Sequence, residues 1–227
     1  MPERNDRGSR TPERNEREIR MFEFEVRAAE DQEHGKYITG TPIVFGQVTD
    51  MGWCREVIDA GALDKDTDLK DVRFLIGHNV DMVPLARSRN NNKNSTMQME
   101  ITKRGMEIRV NLDTENNTDA RTLYSAVQRG DISGMSFMFT VDKASWEDID
   151  TNHPLRRITH IRRVFEVSAV AFPAYDGTDL QTASENGAPE GARSALESAA
   201  RRELEAARAE LRNQKERREK ALKTLRR

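Results

Sequence analysis

The sequence predicts an α+β fold, with a β-rich, barrel-like core, flanking helices and a charged C-terminal helix. Three observations predict it. Short runs that alternate apolar and polar residues recur through the middle of the 227-residue chain. One segment there, 118–128, spaces its apolar residues as a helix does. At both ends the composition shifts to charged residues with few large apolar side chains.

The elements follow in order. Residues 22–26 alternate Phe22, Phe24 and Val26 against Glu23 and Glu25, the pattern of a half-buried strand. Residues 37–45 form a strand interrupted at Gly40 and Pro42, and 72–76 a short one. Residues 96–101 and 106–112, joined through Lys103, Arg104 and Gly105, make a β-hairpin. Ala120, Leu123, Tyr124 and Val127 define the apolar stripe of the helix, with Thr118 or Asp119 as its cap and Gly130 as its stop. Residues 136–141, 156–161 and 165–172 are three further strands, the last ended by Pro173.

The flanks differ in kind. Residues 1–20 carry six Arg and five acids, with Met1 and Ile19 the only large apolar residues, so they are expected to be disordered. Residues 21–180 hold the folded domain, and 181–191, with Gly187, Pro189 and Gly191, are a linker. Residues 192–227 contain neither Gly nor Pro and are rich in Ala, Glu, Arg and Leu, which predicts a helical tail. Leu204, Leu211 and Leu225 sit at heptad spacing, but Arg218 breaks the seam. Such a helix is either solvated and held by its own ion pairs or docks on a partner.

Composition excludes several classes of function. The net charge of −2 gives no sign of a general nucleic-acid binder. A single cysteine, Cys54, excludes an internal disulfide and a cysteine zinc site, and is read as a small buried residue. The four histidines lack HExxH spacing, so no metal is expected, and no phosphate loop or dinucleotide fingerprint implies a cofactor. No apolar run reaches the roughly 18 residues of a membrane span. The N-terminus has no secretory apolar core, and a soluble, cytosolic protein is expected.

Chemistry is sought where polar residues interrupt apolar strands. His78 follows Phe74-Leu75-Ile76-Gly77 directly. Ser136 opens a strand after Ser133-Gly134-Met135, and Glu166 lies within the apolar run 164–172. A serine, an imidazole and a carboxylate are the components of nucleophilic acyl transfer. The hydroxyl needs a base to take its proton, and the base needs a third group to fix its tautomer. On residue types alone, each also has a structural reading: His78 at a loop edge, Ser136 starting a strand, Glu166 facing solvent.

Four ordered blocks carry a resemblance. Gly52-Trp53-Cys54-Arg55-Glu56-Val57-Ile58-Asp59-Ala60-Gly61-Ala62-Leu63, Phe74-Leu75-Ile76-Gly77-His78-Asn79, Arg129-Gly130-Asp131-Ile132-Ser133-Gly134-Met135-Ser136-Phe137, and the run from Phe165 through Pro173-Ala174-Tyr175 resemble the conserved blocks of tailed-phage prohead maturation serine proteases. The resemblance covers about residues 22–180 and implies a fold related to herpesvirus assemblin. It implies an endopeptidase that works inside the immature capsid, in the host cytoplasm. Such an enzyme cuts the major capsid protein, its scaffold segment and usually itself, with a portal contact and a dimer or higher assembly as further expectations. It implies Ser136 as nucleophile, with Ser133 its rival, His78 as general base, and Glu166 as the third member, with His160 its rival. Backbone N–H groups near Ser136 would form the oxyanion hole, helped by Arg162 or Arg163. Ala86 and Met138 stand where the family pattern commonly has glycine, which bears on the shape of the substrate groove.

Two other functions compete. A non-catalytic capsid assembly or scaffolding protein retaining the fold would suit the long tail, and retention of Ser136, His78 and Glu166 together favours the enzyme. An unrelated β-rich binding module must treat the four ordered blocks as chance.

Overall fold

The computed structural model describes residues 17–22, 26–32, 35–171 and 190–225. Its strands are β1 (Arg17–Phe22), β2 (Arg27–Asp31), β3 (Gly35–Val44), β4 (Thr49–Asp50), β5 (Arg55–Ile58), β6 (Asp71–Ile76), β7 (Ala86–Arg89), β8 (Met97–Ile101), β9 (Gly105–Asn111), β10 (Gly134–Glu147) and β11 (Leu155–Val170). Helix α1 (Thr118–Arg129) joins β9 to β10, and α2 (Glu190–Leu225) follows β11. The mixed, strand-rich α+β class is as the alternation predicts. The strands pair as two open sheets, one of seven strands and one of four.

β11 is the spine of the larger sheet. One edge pairs antiparallel with β10 along nearly its whole length. The other edge takes β5 in parallel at Leu155–Ile158 and β6 in parallel at Glu166–Ala169. The two strands expected at 156–161 and 165–172 are therefore one 16-residue strand. Arg162 and Arg163 do not break it, because the register shifts of the β10–β11 ladder absorb the irregularity. Pro173 lies outside the described residues.

The smaller sheet runs β2-β3-β9-β8, all antiparallel, and contains the expected hairpin. Ile38, Ile43, Met106, Ile108 and Val110 of this sheet share one apolar core with Phe74, Phe137, Phe139, Ile161 and Val167 of the other. Helix α1 adds Ala120, Leu123, Tyr124 and Val127, the predicted stripe. Its cap is Asn117, whose side chain accepts from the N–H groups of Asp119 and Ala120. Gly130 ends it in the left-handed conformation (φ 81°). Gly105 starts β9 at φ 151°, and a Cβ there would lie 1.8 Å from the Ile43 carbonyl oxygen.

The N-terminal flank departs from expectation. Arg17–Arg20 belong to β1, which pairs antiparallel with the outer edge of β10; of the strand expected at 22–26, Phe22 ends β1 and residues 23–25 lie outside the described residues. Glu18 and Arg20 are buried. Nε and Nη2 of Arg20 bind the Glu56 carboxylate, and Nη2 also reaches Glu18 at 2.6 Å. Arg156, buried as well, donates to Glu18 at 2.7 and 2.9 Å, to Glu56 at 3.0 Å and to Glu203 of α2 at 3.1 Å. The charge count that argued for disorder assumed water as the partner of every charge; here the charges solvate one another. Residues 1–16 and 181–189 lie outside the described residues.

Helix α2 is helical as predicted, and its middle, from Ala200 to Arg208, packs on the domain. Ala200 and Leu204 are buried, Glu203 joins the network, and Arg208 donates to the carbonyls of Ile149 and Thr151. Residues 212–220 are exposed. No helix among the described residues is long and apolar enough to cross a membrane.

Candidate active site

β10 and β11 sort their side chains by alternation. Met135, Phe137 and Phe139 enter the main core, so Ser136 and Met138 take the opposite face of the sheet. Ser136 stands opposite Ser168 on β11, and Met138 opposite Glu166. Directly opposed residues project to the same side, so Ser136, Ser168 and Glu166 share a face. All three are buried, Glu166 being 2% exposed, and the solvent-facing alternative for Glu166 is excluded.

His78 reaches that face from the end of β6. Gly77 and His78 both adopt positive φ, 58° and 60°. For a histidine that conformation is unfavourable, and such strain persists where surrounding contacts over-determine it. Those contacts are present. The His78 backbone N–H donates to Ser168 Oγ at 3.0 Å, and Ser168 Oγ–H donates to Glu166 Oε2 at 2.6 Å. His78 Nδ1 lies 2.5 Å from Glu166 Oε1. With Nδ1–H donating to the carboxylate, Nε2 carries a lone pair. Nε2 is buried and has no hydrogen-bond partner among the described residues.

Ser136 is fully buried, and its hydroxyl donates to the backbone carbonyl of Arg20 at 2.7 Å. The structure thus joins His78 to Glu166 and sets Ser136 on their side of the sheet, with its hydrogen bond directed to β1. Ser133 is exposed in the turn before β10. His160 lies six residues along β11 from Glu166, roughly 20 Å at strand rise. It contacts Asp142 through Nδ1 (3.0 Å) and Asp64 through Nε2 (3.2 Å). Cys54 is buried as expected, and burial pushes its thiol up to about 12.

A cleft of about 480 Å³ opens beside Glu166, walled by Leu75, Val80, Met138 and Phe165, with Arg17, Arg73 and Arg163 around it. Met138 lines this cleft, while Ala86 is buried on β7 opposite Phe74. Arg163 lines the cleft and Arg162 instead binds Asp142 at 3.0 Å. A larger hollow, about 680 Å³, lies on the four-stranded sheet and includes none of the serine, histidine or carboxylate set. Ser168 was missed in the sequence; its signal is the i, i+2 spacing from Glu166 on one strand.

The arrangement provides an imidazole oriented by Glu166, with Nε2 unpaired among the described residues, and a serine on the face of the sheet that carries Glu166. Neither the curated proteins nor the solved structures hold a match to the chain. The family model described as caudovirus prohead serine protease matches residues 22–191. Three-quarters of the sequence, with all four blocks read from it, is inside that match, and the chain belongs to the caudovirus prohead serine protease family.

Proposed function

We propose that this chain is the procapsid maturation endopeptidase of its phage, cutting the capsid protein, its scaffold segment and itself. Ser136 is the nucleophile, His78 the general base and Glu166 the group that orients His78. The observation that carries the reading is the contact of His78 Nδ1 with buried Glu166, which leaves Nε2 as the acceptor.

The chemistry follows from these groups. As Ser136 Oγ attacks the scissile carbonyl carbon, its proton passes to His78 Nε2 and the carbonyl oxygen takes the negative charge. Glu166 stabilises the imidazolium that forms. The tetrahedral intermediate collapses, His78 protonates the departing amine, and an acyl ester remains on Ser136. Water, deprotonated by His78, attacks the ester and returns the serine. Backbone N–H groups at the start of β10 are the proposed oxyanion donors, with Arg163 at the cleft wall as their support.

The domain reading keeps a linker before α2 and adds β1 to the protease domain. The likeness to assemblin, the capsid and portal partners, a dimer and action inside the shell in the host cytoplasm remain parts of the proposal. A second reading, an assembly protein that keeps the fold without cutting, is favoured by one observation: Ser136 bonds Arg20, not His78.

Co-assembly with the capsid protein separates the two. Wild type is expected to yield trimmed capsid protein within shells, and His78→Ala to leave it full length. Full-length protein in shells that contain wild-type enzyme would favour the assembly protein.

A further inference from the structure

Strand β1 occupies an unusual place. It covers the outer edge of β10 beside Ser136, with Met21 in register with Ser136 and Arg20 with Phe137. The family match begins at Phe22, so almost all of β1 lies before the matched residues, and nearly all of α2 lies after them. The two flanks meet over the sheet. Arg156 bridges Glu18 of β1 and Glu203 of α2, and Ala200 and Leu204 of α2 are buried. The edge beside the serine is thus filled by a segment clasped by a helix, both outside the family-matched part.

The contact with the serine is also informative. An attacking Oγ must approach the carbonyl carbon while the oxygen turns to other donors. Here Oγ–H is spent on the Arg20 oxygen itself, at 2.7 Å. A strand in this place therefore aligns a carbonyl with the serine and, in the pose adopted by β1, holds it unreactive. Side chains alternate across a strand, so the residue whose carbonyl meets Ser136 projects to the opposite face. Arg20 does so, and its guanidinium lies against the Glu56 carboxylate. Without β1, the Glu56 carboxylate loses its bonds from Arg20 and keeps the one from Arg156.

We infer that the edge of β10 held by β1 is the docking edge for substrate. An extended peptide pairs antiparallel with β10 there, and Glu56 reads an arginine at the position whose carbonyl faces Ser136. β1 is the resident occupant, a substrate mimic that keeps the enzyme latent until it leaves the edge. This rests on Ser136 being the nucleophile. Displacement requires breaking the Glu18–Arg156 and Arg20–Glu56 pairs, so loosening either the strand or its α2 clasp should expose the site.

The test uses the full chain and the rate at which a fluorophosphonate labels Ser136, read by peptide mass. Three proteins are compared: wild type, Arg20→Gln in the strand, and Glu203→Gln with Leu204→Ser in the clasp, each checked for a cooperative thermal transition. Both variants are expected to label at least tenfold faster than wild type. A synthetic peptide of residues 15–24 added in trans should slow labelling of the variants, and the same peptide carrying Arg20→Gln should not. Equal rates in all three folded proteins overturn the docking edge, as does equal inhibition by the two peptides with respect to the arginine subsite. If Ser136 stays unlabelled in all three while capsid protein is still cut, the nucleophile assignment itself falls and the inference with it.

Discussion

His78 holds its imidazole on a backbone at φ 60°, tied by its own N–H to Ser168 and by its ring to Glu166. Each tie has a separable consequence. Glu166→Gln keeps the volume but can present its amide N–H to Nδ1, which favours the wrong tautomer. The loss of kcat is expected to be on the order of 10³–10⁴-fold, measured on a capsid-derived peptide. Ser168→Ala removes one bond to His78 and one to Glu166 without touching the proton-accepting nitrogen. Its expected effect is about tenfold on kcat with KM little changed. A Glu166→Gln enzyme as fast as wild type would remove the carboxylate from the mechanism. His78, Ser136 and Glu166 stand out in the sequence as candidates because each interrupts an apolar strand or strand end, and the burial of all three is what the structure adds. Ser168 was not, since a serine two residues from a carboxylate reads equally as one more solvent-facing strand position.

At the scale of elements, two local devices carry measurable weight. The Asn117 side chain satisfies two N–H groups at the start of α1. Asn117→Ala is expected to cost about 1 kcal/mol by chemical denaturation. Gly105 enters β9 at a backbone angle closed to side chains, against the Ile43 carbonyl. Gly105→Ala should cost more than about 2 kcal/mol, since the obstruction is backbone and cannot swing aside. A Gly105→Ala protein with an unchanged Tm would contradict that packing. The hairpin whose second strand starts at this glycine was legible, because alternation flanks a turn signal. β1 was not, because three of its six residues are charged and its partners, Glu56 and Arg156, lie far off in sequence. The split of β11 into two expected strands has a related cause. Paired arginines resemble a loop until register shifts let them stay within a ladder.

Across the whole molecule, the buried charge network ties β1, β5, β11 and α2 into one unit. Burial alone would raise the Glu56 carboxyl, but Arg20 and then Arg156 outweigh it and hold it below the ordinary carboxylate range. A depressed folded-state value gives stability that is fully present above the unfolded value, about 4.3, and lost as pH falls through the folded one. Denaturation midpoints of wild type should therefore drop below about pH 4. Glu56→Gln should be less stable at pH 7 and show a shallower drop. An identical acid profile in the two proteins would exclude Glu56 as a source of it. Arg156→Ala, which leaves the buried carboxylates of Glu18 and Glu56 to share the single guanidinium of Arg20, should cost about 3–5 kcal/mol at neutral pH.

The most direct measurement of the catalytic assignment is intact mass after co-expression with the major capsid protein, comparing wild type with Ser136→Ala and Ser133→Ala. Wild type and Ser133→Ala are expected to trim the capsid protein, and Ser136→Ala to leave it full length in shells of normal yield. Trimming by Ser136→Ala at the wild-type rate, with loss in Ser133→Ala, would contradict the assignment and move the nucleophile to the exposed turn before β10.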